Sequence, residues 1–287
     1  MNALVSSLGR TVQTRDIFRF WLPAGFVTFI LLLAVLGPTF LPDPNLMSST
    51  LRFAAPSWQH LLGADEFGRD ILSRIAYGAR FSLAVGFSTV AVASVVGVLI
   101  GLIAAYYGGW RETLAMRAID FMLSFPPVLL AILVVAFAGS GIATLAVVLG
   151  VLFIPRFARL VHSEGLVLKR MEYVEAERAI GRPDLGIIVR TILPNLMGLV
   201  VAQLALALGQ AILSETGLSY LGLGPPADIP TWGRSIQTGS SFLRQSVWLV
   251  VWPSLAISLT LISLNLLADW LTERLDPRSS VRRGGGM

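Results

Sequence analysis

Six separate stretches of this chain are apolar enough, and long enough, to cross a lipid bilayer. They run at roughly 20–40, 82–107, 121–139, 141–161, 192–215 and 247–270. A bilayer's hydrocarbon core takes about 20 residues of helix. Inside it no water is available, so each segment must satisfy its own backbone N–H and C=O groups, which an α-helix does. The spacing therefore predicts an all-α integral membrane protein with six transmembrane helices. Composition agrees, with 55% hydrophobic residues, 14% charged residues and a mean hydropathy of +0.74. A soluble domain carries about 25% charged residues. The first stretch follows Arg10, Arg15 and Arg19, as a signal peptide would. Its apolar run exceeds the roughly 7–15 residues of such a segment, and no A-x-A-like site follows, so it is expected to stay as an uncleaved helix.

Orientation follows from the basic residues. With the N-terminus inside, 16 of the 22 Lys and Arg residues fall on the cytoplasmic side, against 6 outside. This positive-inside bias predicts a multi-pass protein with both termini cytoplasmic. The net charge of +5 comes almost wholly from arginine, with Lys169 the only lysine. It is read as a topology signal rather than as a nucleic-acid surface. The expected organisation is a cytoplasmic segment over 1–19, a membrane domain over 20–278 and a disordered tail over 279–287. Two outer loops, at about 41–81 and 216–246, and one inner loop, at about 162–191, interrupt the membrane domain.

The stretch "HLLGADEFGRDILSR", residues 60–74, crowds a histidine, acids and arginines together as an active site would. Nothing else in the chain completes such a site. There is no cysteine, and His60 and His162 fall on opposite sides of the membrane by topology, so neither a metal set nor a catalytic pair is expected. Asp65 and Glu66 suit a helix start, and Phe67, Ile71 and Ile75 recur every four residues. The prediction is an amphipathic helix lying at the outer surface, with Asp70 and Arg74 paired at i, i+4. It serves as a surface anchor or as a contact for a partner. Glu215, at the outer end of the fifth span, is expected to be hydrated.

Polar residues within spans mark either a path or a helix contact. Gln203, Gln210 and Ser214 lie along the fifth span, seven and four residues apart, so they share a face. They either line a translocation path or bond to a neighbouring helix. Gly97 and Gly101 form a G-x-x-x-G suited to close helix packing. Pro126 and Pro127 should kink or restart the third span. A proton- or sodium-driven carrier would show carboxylates at mid-span and often an inverted repeat; neither is evident.

In the inner loop, Tyr173 to Ile180 fits a short helix stopped by Gly181 and Pro183. Alone it would be marginal in water, so it should dock on something, either the lipid surface or a partner. Tyr173, Ala176 and Ile180 share one face, Glu175, Ala179 and Arg182 another. Small residues at Ala176, Ala179 and Gly181 would admit a close partner.

"EAERAIGRPDLGIIVRTILPN" resembles the EAA loop of permease subunits of binding-protein-dependent ABC importers. Glu175, Ala176, Gly181, Leu193 and Pro194 match its spacing, while Glu177 stands where that family usually has a small residue. "HLLGADEFGRDILSRIAYGARFSL" resembles an H-P-L-G-T-D-x-x-G-R-D segment of the dipeptide and oligopeptide branch, with Leu61 in place of proline. "LSYLGLGPPADIPTWG" at 218–233 and "NLLADWLTERLDPR" at 265–278 resemble two more of its signatures. The closest likeness is to the second, C-type permease of a peptide importer.

The resemblance implies a type I importer permease fold in a bacterial or archaeal cytoplasmic membrane. It implies that the short helix is a coupling helix, with Tyr173, Glu175, Ala176, Ala179, Gly181, Leu193 and Pro194 serving an ATPase partner. Asp65, Gly68, Arg69, Asp70, Trp232 and Gly233 would then serve external docking or gating. The implied partners are a sister permease in a heterodimer, two ATPase subunits or domains and an extracytoplasmic solute-binding protein. No G-x-x-x-x-G-K-[ST] is present. ATP and Mg are therefore expected on the ATPase subunits, with no catalytic residue, metal or cofactor on this chain. A permease for nickel or another metal chelate is the alternative solute assignment.

Overall fold

The computed structural model describes residues 2–275, with side chains from Phe20 onward. Regular structure among these residues is helical, with one isolated antiparallel bridge between Ala64 and Asp70. In chain order the helices are α1 (Asn2–Phe40), α2 (Ile71–Tyr107), α3 (Gly109–Leu123), α4 (Pro127–Ala138), α5 (Ile142–Leu168), α6 (Glu172–Ala179), α7 (Asp184–Ile187), α8 (Leu193–Tyr220), α9 (Trp232–Ser240) and α10 (Trp248–Leu275). The tail expected over 279–287, and the last residues of the predicted membrane domain, lie outside the described residues.

Five helical stretches qualify as spans by length and apolarity: Phe20–Phe40, Ile71–Tyr107, Ile142–Leu168, Asp184–Tyr220 and Trp248–Leu275. These correspond to the first, second, fourth, fifth and sixth predicted segments. The third differs. In place of one helix over 121–139, α3 and α4 meet at an 83° bend. Pro126 and Pro127 supply no N–H to continue α3, and Pro127 opens α4 at its first turn, where proline is preferred. The 12 residues of α4 reach about 18 Å. That falls short of a bilayer core of about 30 Å. The count is thus five spans, or six if the bent pair forms one.

The chain forms two compact units. One gathers the chain up to Ala84 with Glu215–Trp270; the other holds Val85–Ser214 with the chain from Leu271. In the first, Trp232 is fully buried and its indole Nε1 donates to the Ile75 carbonyl at 3.0 Å. In the second, Gly97 and Gly101 lie where added Cβ atoms would come within 2.8 Å of α5 backbone oxygens. The G-x-x-x-G therefore packs α2 against α5, as the spacing suggested. A core of Leu102, Tyr106, Val161, Val174, Ile187 and Ile192 closes the same unit.

Candidate functional site

The first candidate is the face presented by α6. Its first turn starts from Met171, whose carbonyl accepts from the Val174 and Glu175 amides. Its end is a Schellman arrangement: Arg182 N–H bonds the Glu177 carbonyl and Gly181 N–H bonds that of Arg178. Gly181 supplies the left-handed residue this requires, at φ +78°. An eight-residue helix is not stable alone; Val174, absent from the sequence expectation, anchors it in the core just described. Burying such a side chain contributes about 1.5–3 kcal/mol.

Further ties hold α6 in place. The Glu177 carboxylate accepts from Thr191 Oγ1 at 2.8 Å and from Arg182. Its departure from a small residue thus closes the loop on itself. Tyr106, at the end of α2, donates to Asp184 Oδ1 at 2.6 Å and lies under the Arg178 guanidinium at 5.1 Å. What remains open is the other face, where Tyr173, Glu175, Ala176, Ala179 and Gly181 are exposed and Ile180 is 81% exposed. Leu193 packs partly against the core and Pro194 is exposed in the first turn of α8. Pro194 cannot donate to Arg190, and the preceding Ile188–Ile192 turn widens to π geometry.

The second candidate is the 60–74 stretch, and here the sequence expectation is corrected. No helix starts at Asp65; α2 starts at Ile71 and continues into the second span. Asp65, Glu66, Arg69, Asp70 and Arg74 are buried instead of lying on an amphipathic surface. Asp65 accepts from the Phe67 and Arg69 amides at 2.9 Å and binds Arg69 Nε at 2.6 Å, with Arg74 Nε at 3.5 Å. Arg69 also reaches Glu66 at 2.8 Å. Asp70 does not pair with Arg74. It caps α2 through the Ser73 amide and hydroxyl, and its second oxygen meets His60 Nδ1 at 3.0 Å.

Gly68 makes this knot possible. It sits at φ +74°, and a Cβ there would come 1.9 Å from the Ser48 carbonyl oxygen. Burial first, and the Asp65 charge second, push the Glu66 carboxyl above the ordinary carboxylate range, against the pull of Arg69 and Arg74. A buried salt-bridged tangle satisfies each charge locally, and the pattern of apolar residues every four positions did not reveal it.

Trp232 and Gly233 belong to the same unit. Gly233 packs so closely on Thr216 that a Cβ would come 2.1 Å from its carbonyl oxygen. Glu215 is not hydrated at a helix end. It is fully buried, accepting from Ser82 and Ser219 hydroxyls at 2.6 Å each. Ser219 is the serine of "LSYLGLG", one turn after Glu215, and that i, i+4 spacing was the available signal.

The third candidate concerns the polar residues of α8. Gln203 lines an open cavity of about 530 Å³ together with residues of α3 and α5. Gln210 is exposed elsewhere, and Ser214 Oγ donates back to the Gln210 carbonyl at 2.8 Å. The three do not assemble one site.

Residues 97–281 match the family described as "Binding-protein-dependent transport system inner membrane component". A putative peptide transport system permease protein of Brucella suis is 37% identical over 273 residues, 95% of this chain and 91% of that protein. A glutathione transport system permease protein, GsiD, of Pectobacterium atrosepticum is 43% identical over 78% of this chain and 74% of its own. A dipeptide transport system permease protein, DppC, of Alkalihalophilus pseudofirmus is 38% identical over 88% and 83%.

Proposed function

Because the chain belongs to the family of binding-protein-dependent transport system inner membrane components, we propose that it is the C-type permease of an ABC importer for di- or oligopeptides. The observation that carries the reading is the open face of α6, an eight-residue helix anchored from behind by Val174 and braced by Glu177 and Tyr106. A helix held this firmly on one side, and bare on the other, suits a surface pressed by a moving partner. An ATPase subunit is that partner in this reading, and closure of its nucleotide sites would be passed to α2 and α8. The relatives support peptides as solute, since each is named for a peptide, dipeptide or glutathione system.

The remainder of the assembly is a sister permease, a second ATPase subunit or domain and an extracytoplasmic binding protein. ATP and Mg belong to the ATPases, and this chain contributes no catalytic group. With the bent α3–α4 pair crossing as one span, the positive-inside count supports α6 and both termini in the cytoplasm and the 60–74 knot outside.

The test is reconstitution in proteoliposomes. Uptake of a radiolabelled dipeptide should require ATP, the binding protein and this chain together, and the purified chain alone should hydrolyse no ATP. Robust hydrolysis by the chain, or uptake driven by a proton or sodium gradient without ATP, would refute the reading. Calorimetry of the binding protein should show heat with dipeptides and none with nickel chelates; the reverse result would move the assignment to a metal-chelate importer.

A further inference from the structure

We infer that the cavity lined by Asp120, Arg156, Arg159, His162, Ser163 and Gln203 is a station on the solute path that takes a carboxylate group, with Arg156 as its cation. This rests on the permease reading above and adds to it a site and a ligand chemistry. All six residues lie in the same compact unit. Arg156, Arg159 and Ser163 follow each other at spacings of three and four in the second half of α5, so they form one polar stripe beyond its apolar first half. A stripe of this kind facing lipid is strongly disfavoured; such residues face a water-filled space or the protein interior.

Charge bookkeeping then singles out one group. Arg159 and Asp120 neutralise each other at 2.5 Å, and His162 Nε2 is held by Glu112 Oε1 at 2.9 Å. Arg156 has no carboxylate partner among the described residues; its guanidinium rests over the Phe153 ring at 4.5 Å and is exposed on the cavity side. A guanidinium left in this state presents a planar donor fork that matches a carboxylate bidentately. Gln203, on the facing helix, offers an amide donor and acceptor suited to a peptide bond. A cation beside an amide fits the free C-terminal end of a small peptide.

The chain has no cysteine, which makes the site directly readable. Ser163→Cys would be labelled in the assembled, detergent-solubilised importer with anionic and cationic methanethiosulfonates, adducts being read on this chain by mass spectrometry. An unpaired cation at the wall of this open cavity should make the anionic reagent react several-fold faster than the cationic one. Adding Arg156→Gln should remove that preference, and Arg156→Lys should keep it. Millimolar dialanine should slow labelling, and dialanine amide should not. Equal rates for the two reagents, equal protection by peptide and amide, or a cysteine that no reagent reaches would each overturn the inference. Labelling is read independently of transport, so failure of ATP-driven uptake would instead count against the permease reading.

Discussion

Replacing Gly181 with valine is expected to cut ATP-driven uptake by at least about tenfold while leaving the protein in the membrane. At φ +78° the residue closes the Schellman turn that ends α6. A non-glycine residue in the left-handed region costs roughly 1–2 kcal/mol, and a β-branched one more. The turn would reopen, and the Arg182 and Gly181 amides would lose their carbonyls. Nothing lies within 4 Å of a Cβ built at this position, so the loss would not come from a clash inside this chain. Asparagine tolerates the left-handed region and separates the two possible causes. Gly181→Asn should retain most uptake if conformation alone matters. If the bare space is occupied by a partner, both variants should fail, with the ATPase uncoupled from transport. Wild-type uptake by Gly181→Val would contradict both. Protease protection of the loops would report insertion in each variant.

Asp65→Ala is expected to destabilise the 41–70 loop by about 3–5 kcal/mol, the usual cost of stripping one partner from a buried charge group. Asp65 is the hub there, holding two backbone amides and Arg69 and lying 3.5 Å from Arg74. Its loss leaves two arginines buried with Glu66 alone to balance them. Thermal melting in detergent and expression level should both fall. Glu66→Gln should behave in the opposite way. The folded state raises the Glu66 pKa above 4.5, mainly by burial, so at neutral pH the charged carboxylate costs stability. That cost is relieved as pH falls through the folded pKa toward 4.5. Glu66→Gln should therefore melt no lower than wild type near neutral pH and lose that part of the pH dependence. An Asp65→Ala protein as stable as wild type would mean that the knot does not hold the loop.

Much of this fold is legible in the sequence because membrane spans are written in one variable, continuous apolarity. The five long helices fall where the apolar stretches lie, with ends displaced outward as helices run on past the hydrocarbon; α5 continues to Leu168 and α8 to Tyr220. The α6 helix was legible for a different reason, since Gly181 and Pro183 punctuate it and Tyr173, Ala176 and Ile180 repeat at helical spacing. The break in the third span was legible too, since Pro126 and Pro127 forbid a straight helix, but its 83° angle and the start of α3 at Gly109 were not.

The 60–74 stretch misled more deeply. Acid, glycine and arginine at short spacing read equally as a helix cap or as a folded turn, and only the tertiary partners of Gly68 and Arg74 decide between them. Glu215 and Arg156 show the same limit within spans. Both are charged residues in apolar helices, yet Ser82 and Ser219 enclose one and a cavity receives the other. Sequence spacing along one helix carries no information about which residues a different helix brings opposite.

The most direct measurement places a photoactivatable benzophenone on a single cysteine at Ala179→Cys, in the otherwise cysteine-free chain, within the assembled importer. A second cysteine at Trp58→Cys, 97% exposed in the 41–70 loop, serves as the comparison. Illumination should join the ATPase subunit to residue 179 and not to residue 58, with a yield that changes when ATP is added. An importer that carries out ATP-driven uptake yet gives no ATPase adduct from residue 179, or gives one from residue 58 instead, would contradict α6 as the surface through which ATP drives transport.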